Sequence, residues 1–282
     1  SLLIVGGGVI GLEMGQILER QGAKITVVEA LDRLIPWEDP EVSEEMARIV
    51  KRRKWTLKLR ARVKTLITKE GRAELTLDSG EVLDGAKALV CIGRRPATEP
   101  LAPGKAGIDL DTRGFAVVDS HLKAAARIYA VGDVNGRAML AHAAEHQAAY
   151  AVDHLLGRTD KPYSDLGLPS CIYGAPEVMR VGRMAHELAA AGEPVQVSRF
   201  PLAANPIAQA SASTSGFVKA VWSHGRLAGL TAIGHGASHL VGLATVMTSQ
   251  GWTREQVEHF IFPHPSLDEA LREACLAEPQ KA

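Results

Sequence analysis

The sequence VGGGVIGLEMG, residues 5–15, places three glycines in the pattern G-x-G-x-x-G, at Gly6, Gly8 and Gly11. The apolar residues before it predict a buried strand, and those after it have helical spacing. A strand that turns through glycines into a helix lets backbone N–H groups approach a pyrophosphate, which the positive end of the helix also attracts. The stretch therefore predicts a dinucleotide-binding unit, with a glycine-rich packing turn as the alternative.

The residues that follow strengthen this interpretation. Gly22 ends the helix, and a second strand at 24–28 leads directly to Glu29. A carboxylate at this point can accept hydrogen bonds from a ribose diol, whereas it repels a 2′-phosphate. The predicted cofactor is therefore NAD rather than NADP. The apolar positions that indicate the helix are Ile10, Met14, Ile17 and Leu18.

The next part of the chain predicts an open α/β sheet over about the first 115 residues. Asp39 followed by Pro40 starts a second helix that runs toward Arg53. Further strands are predicted at 55–59, 72–77 and 87–92.

A boundary is predicted at the Pro, Gly and Ser cluster of 162–170. Before it, short strands at 115–119 and 128–132 and an Ala-rich helix are too little to close a core. After it, strands precede later helices, which favours an α+β domain. The strands lie at 193–200, 216–222 and 227–234, and one helix at 238–250 has the apolar face Leu240, Leu243, Ala244 and Met247.

Composition excludes several functional classes. Lys plus Arg and Asp plus Glu both number 32 in the 282 residues, so no net field draws the chain to nucleic acid or an anionic membrane. The basic run 51–54 is then a solvated helix end. No apolar run approaches the ~18 residues of a membrane span. Three cysteines without a paired spacing indicate a reducing compartment, and we expect a cytoplasmic protein.

The stretch FPHPSLDEA, residues 262–270, contains a candidate general base. Glu269 lies five residues after His264 and can orient its imidazole. The chain offers His264 no obvious nucleophile, because Cys91, Cys171 and Cys275 are far apart from one another and form no C-x-x-C or similar pair. Alternatively, Ser266-x-x-Glu269 is a capping box for the last helix.

Two further patterns concern metals and helix caps. HAAEH, residues 142–146, fits the H-x-x-E-H pattern of zinc enzymes, with Glu145 as base, but no third ligand is identifiable. His235 and His239 are also four residues apart, without an intervening Glu, and are interpreted as ordinary polar positions. Thr253-x-x-Gln256 predicts a second capping box.

These pieces, in this order, resemble the pyridine nucleotide-disulfide oxidoreductases. The resemblance lies in VGGGVIGLEMG (5–15), VVEALDRLIP (27–36), CIGRRPAT (91–98), IYAVGDVNGRAMLAHAAE (128–145), PEVMRVG (176–182) and HPSLDEA (264–270). It implies an α/β, Rossmann-like NAD-binding domain at 1–115, the C-terminal remnant of an FAD-binding domain at 116–160, and an α+β dimerisation domain at 161–282. The family's FAD loop and C-x-x-x-x-C redox pair precede the NAD domain, so we expect the 282 residues alone to be inactive.

The resemblance also assigns roles to individual residues. It implies that His264, held by Glu269, takes the proton from a substrate thiol at the redox disulfide of the other subunit of a homodimer. For NAD it implies contacts at Gly6, Gly8, Gly11, Glu13, Glu29, Val63 and Gly93. For FAD it implies contacts at Asp133, Met139, Leu140, Ala141 and His142, which reassigns HAAEH from metal to cofactor.

The activity that the resemblance implies is NAD-dependent oxidation of a dithiol such as dihydrolipoamide, with FAD and a disulfide as redox centres. The partner that it implies is a lipoyl domain of a 2-oxo acid dehydrogenase complex. The alternatives are a glutathione reductase, mercuric reductase or transhydrogenase of the same family, and an NAD-binding, dimerising chain without activity. A zinc hydrolase is a remote third. Departures from the family pattern bear on the substrate: Phe262-Pro263 before His264, Lys123 and Ala126 before the GD motif, and YGAPE at 173–177.

Overall fold

The structure is a computed structural model that describes residues 1–165 and 167–281. Within these residues the chain forms fifteen strands and eight α-helices. The strands are β1 (Leu2–Val5), β2 (Ile25–Val28), β3 (Thr56–Lys58), β4 (Val63–Lys69), β5 (Arg72–Leu77), β6 (Val82–Gly85), β7 (Lys87–Val90), β8 (Lys123–Ala125), β9 (Ile128–Tyr129), β10 (Ser170–Ile172), β11 (Glu177–Gly182), β12 (Gln196–Pro201), β13 (Gly216–Ser223), β14 (Arg226–Gly234) and β15 (Gln280–Lys281). The helices are α1 (Val9–Arg20), α2 (Pro40–Arg52), α3 (Ala141–Leu155), α4 (Ala185–Ala190), α5 (Pro206–Ala210), α6 (Val241–Ser249), α7 (Arg254–His259) and α8 (Glu269–Leu276).

The chain divides into two compact units. The first unit consists of residues 1–92 together with 169–282, and the second of residues 93–168. These divisions differ from the domain boundaries expected near 115 and 160, which stay predictions. Residue 166, inside the boundary region predicted at 162–170, lies outside the described residues.

In the first unit, the opening residues form a parallel sheet of order β3-β2-β1-β7. β1 pairs in parallel with both β2 and β7, as expected for a strand followed by a crossover helix. The predicted helix from Pro40 is confirmed as α2, and the Asp39 side chain caps it by accepting from the Glu41 N–H at 2.9 Å. A second sheet, β4-β5-β6, is antiparallel and packs Leu75 and Leu77 against one face of the parallel sheet.

Helix α1 is confirmed, but most of the apolar residues whose spacing indicated it do not face the core. Ile10, Met14 and Ile17 are 42%, 38% and 51% exposed, and the buried positions are Gly11, Leu12, Gly15 and Gln16. A Cβ at Gly15 would lie 2.5 Å from the Trp55 ring and 2.9 Å from Ile4 Cδ1. The glycines therefore decide which face of α1 meets the sheet, because only they allow such close packing.

Residues 169–281 of the first unit form a six-stranded antiparallel sheet of order β10-β11-β14-β13-β12-β15. The predicted α+β character is confirmed, since helices α6 and α8 pack against this sheet around a core of buried side chains. The apolar face expected for the helix near 238–250 is also confirmed in its main points, with Leu240, Ala244 and Met247 buried.

Buried ion pairs join this antiparallel sheet to the start of α2. Arg180 Nε lies 2.9 Å from Glu38 Oε2, and Lys219 Nζ lies 2.8 Å from Asp39 Oδ2 and 2.6 Å from Glu41 Oε1. Glu38 and Asp39 are each 1% exposed. Burial raises the pKa of the Glu38 carboxyl above its ordinary value, although Arg180 opposes the shift.

The basic run 51–54 was expected to be a solvated helix end, and for Arg53 this is wrong. Its guanidinium pairs with Glu19 on α1 and donates to the Ala175 carbonyl. Arg53 thus connects both helices of the parallel sheet to the loop between β10 and β11.

The second unit contains the β8–β9 hairpin and helix α3. The strand predicted at 115–119 is wrong, because the described residues show only one isolated bridge there, between Leu110 and Ala116. The backbone is directed elsewhere: the Asp111 carboxylate accepts from the Arg113 and Phe115 N–H groups and forms a turn. Across the described residues, no helix is both long and apolar enough to span a membrane.

Candidate functional site

The glycine-rich turn connects β1 directly to α1. Gly6 has φ +111°, a conformation that favours glycine, and Gly8 is the N-cap residue of α1. Gly8 supplies no side-chain cap, and the first turn of α1 contains no acidic residue. The N–H groups of this turn lack intrahelical partners, so the helix N-terminus is suited to an anion.

The close packing around the turn depends on the absence of side chains. A Cβ at Gly11 would lie 2.3 Å from the Gly6 carbonyl oxygen, and one at Gly6 would lie 2.5 Å from the Cys91 carbonyl oxygen. Both distances are shorter than any normal contact. The turn is therefore a cradle of bare backbone, which fits the close approach of a pyrophosphate.

Glu29 lies at the end of β2, beside this turn. Its carboxylate accepts from the Gly7 N–H at 2.6 Å and from the Leu31 N–H at 2.8 Å. The two bonds hold the acid at the edge of the cradle and connect it directly to the glycine loop. The nearby Cys91 thiol has a raised pKa, chiefly because it is partly buried and secondly because of the Glu29 charge, so it is a poor nucleophile.

The other residues predicted for NAD lie at three places. Glu13, on α1, accepts from the Tyr173 N–H at 2.9 Å. Val63 is the first residue of β4 in the same unit. Gly93 is the first residue of the second unit.

The structure brings His264 and Glu269 together. His264 Nδ1 lies 2.8 Å from Glu269 Oε1, and the imidazole is 72% exposed. With the proton on Nδ1, the ring donates to the carboxylate and leaves Nε2 free to accept a proton.

The same carboxylate also serves the backbone. Glu269 Oε2 accepts from the Ser266 N–H at 2.8 Å, and this bond, followed by the contact with His264, lowers the pKa of Glu269. Only half of the predicted capping box forms, since the Ser266 hydroxyl has no partner within the described residues. The box predicted at Thr253 and Gln256, in contrast, is complete.

Sequence reasoning missed a residue that supports this loop. Asn205 is fully buried, and its Nδ2 donates to the Ser266 carbonyl at 2.9 Å while its Oδ1 caps α5. Asn205 therefore fixes the segment between His264 and Glu269 from behind. The pattern Asn205-Pro206 is a helix-start signal, but nothing in the sequence connects it to residues 264–269.

In the second unit, Asp133 lies on a 3₁₀ turn at 132–135 and is exposed, 3.3 Å from the Arg94 guanidinium. Gln147, on α3, holds the turn: its Oε1 accepts from the Gly132 N–H and from Asn135 Nδ2, both at 2.8 Å. The residues predicted to follow the flavin, 139–142, form the approach to α3 and its first turn.

The metal hypothesis finds no support in the geometry. His146 Nδ1 lies 3.2 Å from the Tyr163 hydroxyl. Within residues 1–165 and 167–281, no group of three or more His, Cys, Asp or Glu side chains is placed to hold a metal ion.

Comparison with known proteins covers nearly the whole chain. Residues 1–148 match the family described as pyridine nucleotide-disulphide oxidoreductase, and residues 168–275 match the dimerisation domain of the same family.

Individual relatives agree with this match. The chain is 35% identical to dihydrolipoyl dehydrogenase 3 of Pseudomonas aeruginosa, over 98% of the chain and 60% of the relative. It is 36% identical to the mitochondrial dihydrolipoyl dehydrogenase of Bos taurus, over 98% of the chain and 56% of the relative. The chain thus spans about 60% of the length of the curated relatives that it matches.

Solved structures have the same fold. LpdA of Mycobacterium tuberculosis superposes with a TM-score of 0.90 at 28% identity, over 97% of the chain and 60% of that protein. The HOCl-induced flavoprotein disulfide reductase RclA of Escherichia coli gives 0.89 at 28% identity, over 97% of the chain and 63% of that protein.

Proposed function

Because the chain belongs to the pyridine nucleotide-disulphide oxidoreductase family, we propose that it serves the NAD-dependent oxidation of a dithiol, as in dihydrolipoamide dehydrogenase. The observation that carries this proposal is the 2.8 Å contact between His264 Nδ1 and Glu269, which makes an exposed imidazole available as a base. We expect this activity in a protein that contains this sequence and has the length of the relatives. We call that protein the long form.

His264 is the proposed proton acceptor. Nε2 takes the proton of a substrate thiol, and the thiolate so formed is the nucleophile in disulfide exchange. Glu269 holds Nδ1–H and stabilises the imidazolium that results. The ionised state of the carboxylate suits this role, because the Ser266 N–H and His264 both lower its pKa.

The glycine cradle is the proposed site of NAD, which would accept a hydride when bound. Gly6, Gly8 and Gly11 expose the backbone to the pyrophosphate, and Glu29 accepts from the adenine ribose. Glu13, Val63 and Gly93 are proposed contacts by resemblance alone.

FAD is the proposed second cofactor, held in part by this chain. Asp133 and residues 139–142 are the proposed contacts. The exposed carboxylate on a turn fixed by Gln147 is suited to accept hydrogen bonds from a polyol chain. FAD and a disulfide would carry the electrons between substrate and NAD.

A related enzyme is the main alternative. Glu29 disfavours the NADP-using reductases. Assays of the long form with dihydrolipoamide and with glutathione disulfide would separate these candidates. We also propose a cytoplasmic location, which rests on the three free cysteines and can be tested by cell fractionation. The proposed partner is a 2-oxo acid dehydrogenase complex, and co-purification tests this association.

We further propose a homodimer. Shortly before His264 in the sequence, Ile261 is 89% exposed and Phe260 is 41% exposed, so two consecutive apolar residues are available to a partner. Obligate interfaces bury about 2,000 Å² or more, enough to hold without a distant domain. Sedimentation of the 282-residue chain at micromolar concentration should give a dimer, and Ile261→Glu should give a monomer. A monomeric parent chain would contradict the proposal.

Glu29 should decide the cofactor preference. Calorimetric titration should show tighter binding of NADH than of NADPH, because the carboxylate accepts from a ribose hydroxyl and repels a phosphate. Glu29→Ala should weaken the binding of NADH by about tenfold, the effect of losing one or two hydrogen bonds to a charged group. The difference in affinity between NADH and NADPH should become smaller.

The neighbouring Asp32→Ala is the matched control, because it removes the same charge from the same loop at a side chain that is 61% exposed. It should leave both affinities nearly unchanged. Equal binding of NADH and NADPH by the parent chain would refute the assignment of NAD.

A further inference from the structure

Trp37, in the segment between β2 and α2, is half exposed to solvent. Its exposed fraction is 51%, whereas Trp55, behind the same sheet, is 5% exposed. An indole left in water gives up the stabilisation that burial of its apolar surface would provide. Its position therefore calls for an explanation beyond packing.

The Trp37 ring lies against the second glycine of the cradle. A Cβ at Gly8 would lie 2.9 Å from Trp37 Cη2 and 3.7 Å from Cζ2. Gly8 is also the N-cap of α1, the point at which an N-cap side chain would turn toward the first N–H groups of the helix. The indole thus borders the mouth of the cradle on the side where Gly8 has no side chain.

The segment around Trp37 is fixed on both sides. Before it, the Ile35 N–H donates to the Gly7 carbonyl at 2.9 Å, which attaches the segment to the glycine turn itself. After it, the buried Glu38 pairs with Arg180 at 2.9 Å and Asp39 caps α2. The backbone at Trp37 is therefore held in place, and the ring is presented to the cradle without a loop having to order first.

From this geometry we propose that Trp37 forms the outer wall of the pyrophosphate subsite and contacts the bound dinucleotide. The inference rests on the proposed binding of NAD and adds a residue to that site. An apolar wall excludes water from one side of the phosphates, and the lower local dielectric strengthens their hydrogen bonds to the N–H groups of the turn. The loop that follows β2 would then contribute twice, through Glu29 to the ribose and through Trp37 to the pyrophosphate.

The test compares Trp37→Ala and Trp37→Phe by calorimetry with NADH and with ADP-ribose, which lacks the nicotinamide. Trp37→Ala should weaken the binding of both ligands by about tenfold, the effect of losing one apolar contact of this size. Trp37→Phe keeps a ring at the wall and should restore most of the affinity. Ile17→Ala is the control, because it truncates an apolar residue that is equally exposed, at 51%, but lies farther along α1 from the glycine turn, and it should bind both ligands as the parent chain does.

A second measurement does not depend on how the alanine variant folds. ADP-ribose should protect the indole of the parent chain from quenching by acrylamide, and this protection should be absent in Trp37→Phe. Unchanged or tighter binding by a folded Trp37→Ala, or no protection of Trp37, would overturn the inference. Failure of the parent chain to bind NADH at all would instead refute the proposed function.

Discussion

His264→Gln should lower the rate of dihydrolipoamide oxidation by the long form by about a thousandfold, the usual contribution of a general base. Glutamine has a similar reach but cannot take the proton of a thiol at neutral pH. The reduction of an artificial electron acceptor by NADH should stay nearly unchanged, because that route needs the flavin and the dinucleotide but no thiol base. Both rates are measured on the same preparation in the steady state.

Two further variants locate the effect. Glu269→Gln should give a smaller loss of dithiol oxidation than His264→Gln, because the imidazole remains but loses the carboxylate that holds Nδ1 at 2.8 Å. His259→Gln is the matched control: it changes an exposed histidine on α7 whose Nδ1 lies 2.7 Å from a backbone carbonyl oxygen, and both rates should be kept. If His264→Gln lowered both activities equally, or neither, His264 would be structural and Glu269 would serve the backbone alone.

Gly11→Ala should reduce the affinity for NADH by at least about a hundredfold, since the cradle can no longer close behind the pyrophosphate. The added methyl group would lie 2.3 Å from the Gly6 carbonyl oxygen and 3.1 Å from Cys91 Sγ. The clash is with backbone on a turn that β1 and α1 hold on both sides, so α1 has to move away from the turn. Calorimetric titration with NADH measures the loss.

Gly242→Ala is the matched control for this variant. It makes the same replacement inside a helix, α6, where a Cβ would meet no atom within 4 Å. The control should bind NADH like the parent chain. Normal affinity in Gly11→Ala would show that the dinucleotide does not need the cradle and would remove the main support for its location.

The sequence predicted the strand, turn and helix of the opening well, because three glycines and an acid at fixed spacing allow few other arrangements. It did not indicate which face of α1 is buried. Helical periodicity counts apolar side chains, and three of the four that indicated this helix, Ile10, Met14 and Ile17, are exposed. The contacts are in fact made by Gly11 and Gly15, which carry no hydrophobic signal but allow the helix to come close to Ile4 and Trp55.

Long-range contacts account for the other omissions. The pair His264–Glu269 could be predicted because its members are five residues apart. Asn205 could not, because it reaches Ser266 across 61 positions of sequence. The same holds for Arg180 and Glu38, which are 142 positions apart and bring opposite charges into the core between a sheet and a helix. Such pairs are set by tertiary packing, which no local pattern encodes.

The failed strand at 115–119 has a local cause. Its short run of apolar residues, Phe-Ala-Val-Val, is consistent with a strand, and Phe115 and Ala116 are each 5% exposed. Asp111, however, draws the Phe115 N–H into a turn at 2.9 Å, and the Ala116 N–H goes to the Val134 carbonyl of the 3₁₀ turn. The stretch is buried only in part, since Val117 is 49% exposed, and its backbone N–H groups at 115 and 116 bond to turns and not to a neighbouring strand.

The central claim is that one chain supplies both the hydride-accepting site, at the glycine cradle, and the thiol base, at His264. Stopped-flow measurement of flavin reduction in the long form, by dihydrolipoamide and separately by NADH, tests it most directly. We predict that His264→Gln slows reduction by the dithiol and leaves reduction by NADH intact, and that Gly11→Ala does the reverse at a fixed, low NADH concentration. Parallel losses of both half-reactions in either variant would contradict the claim.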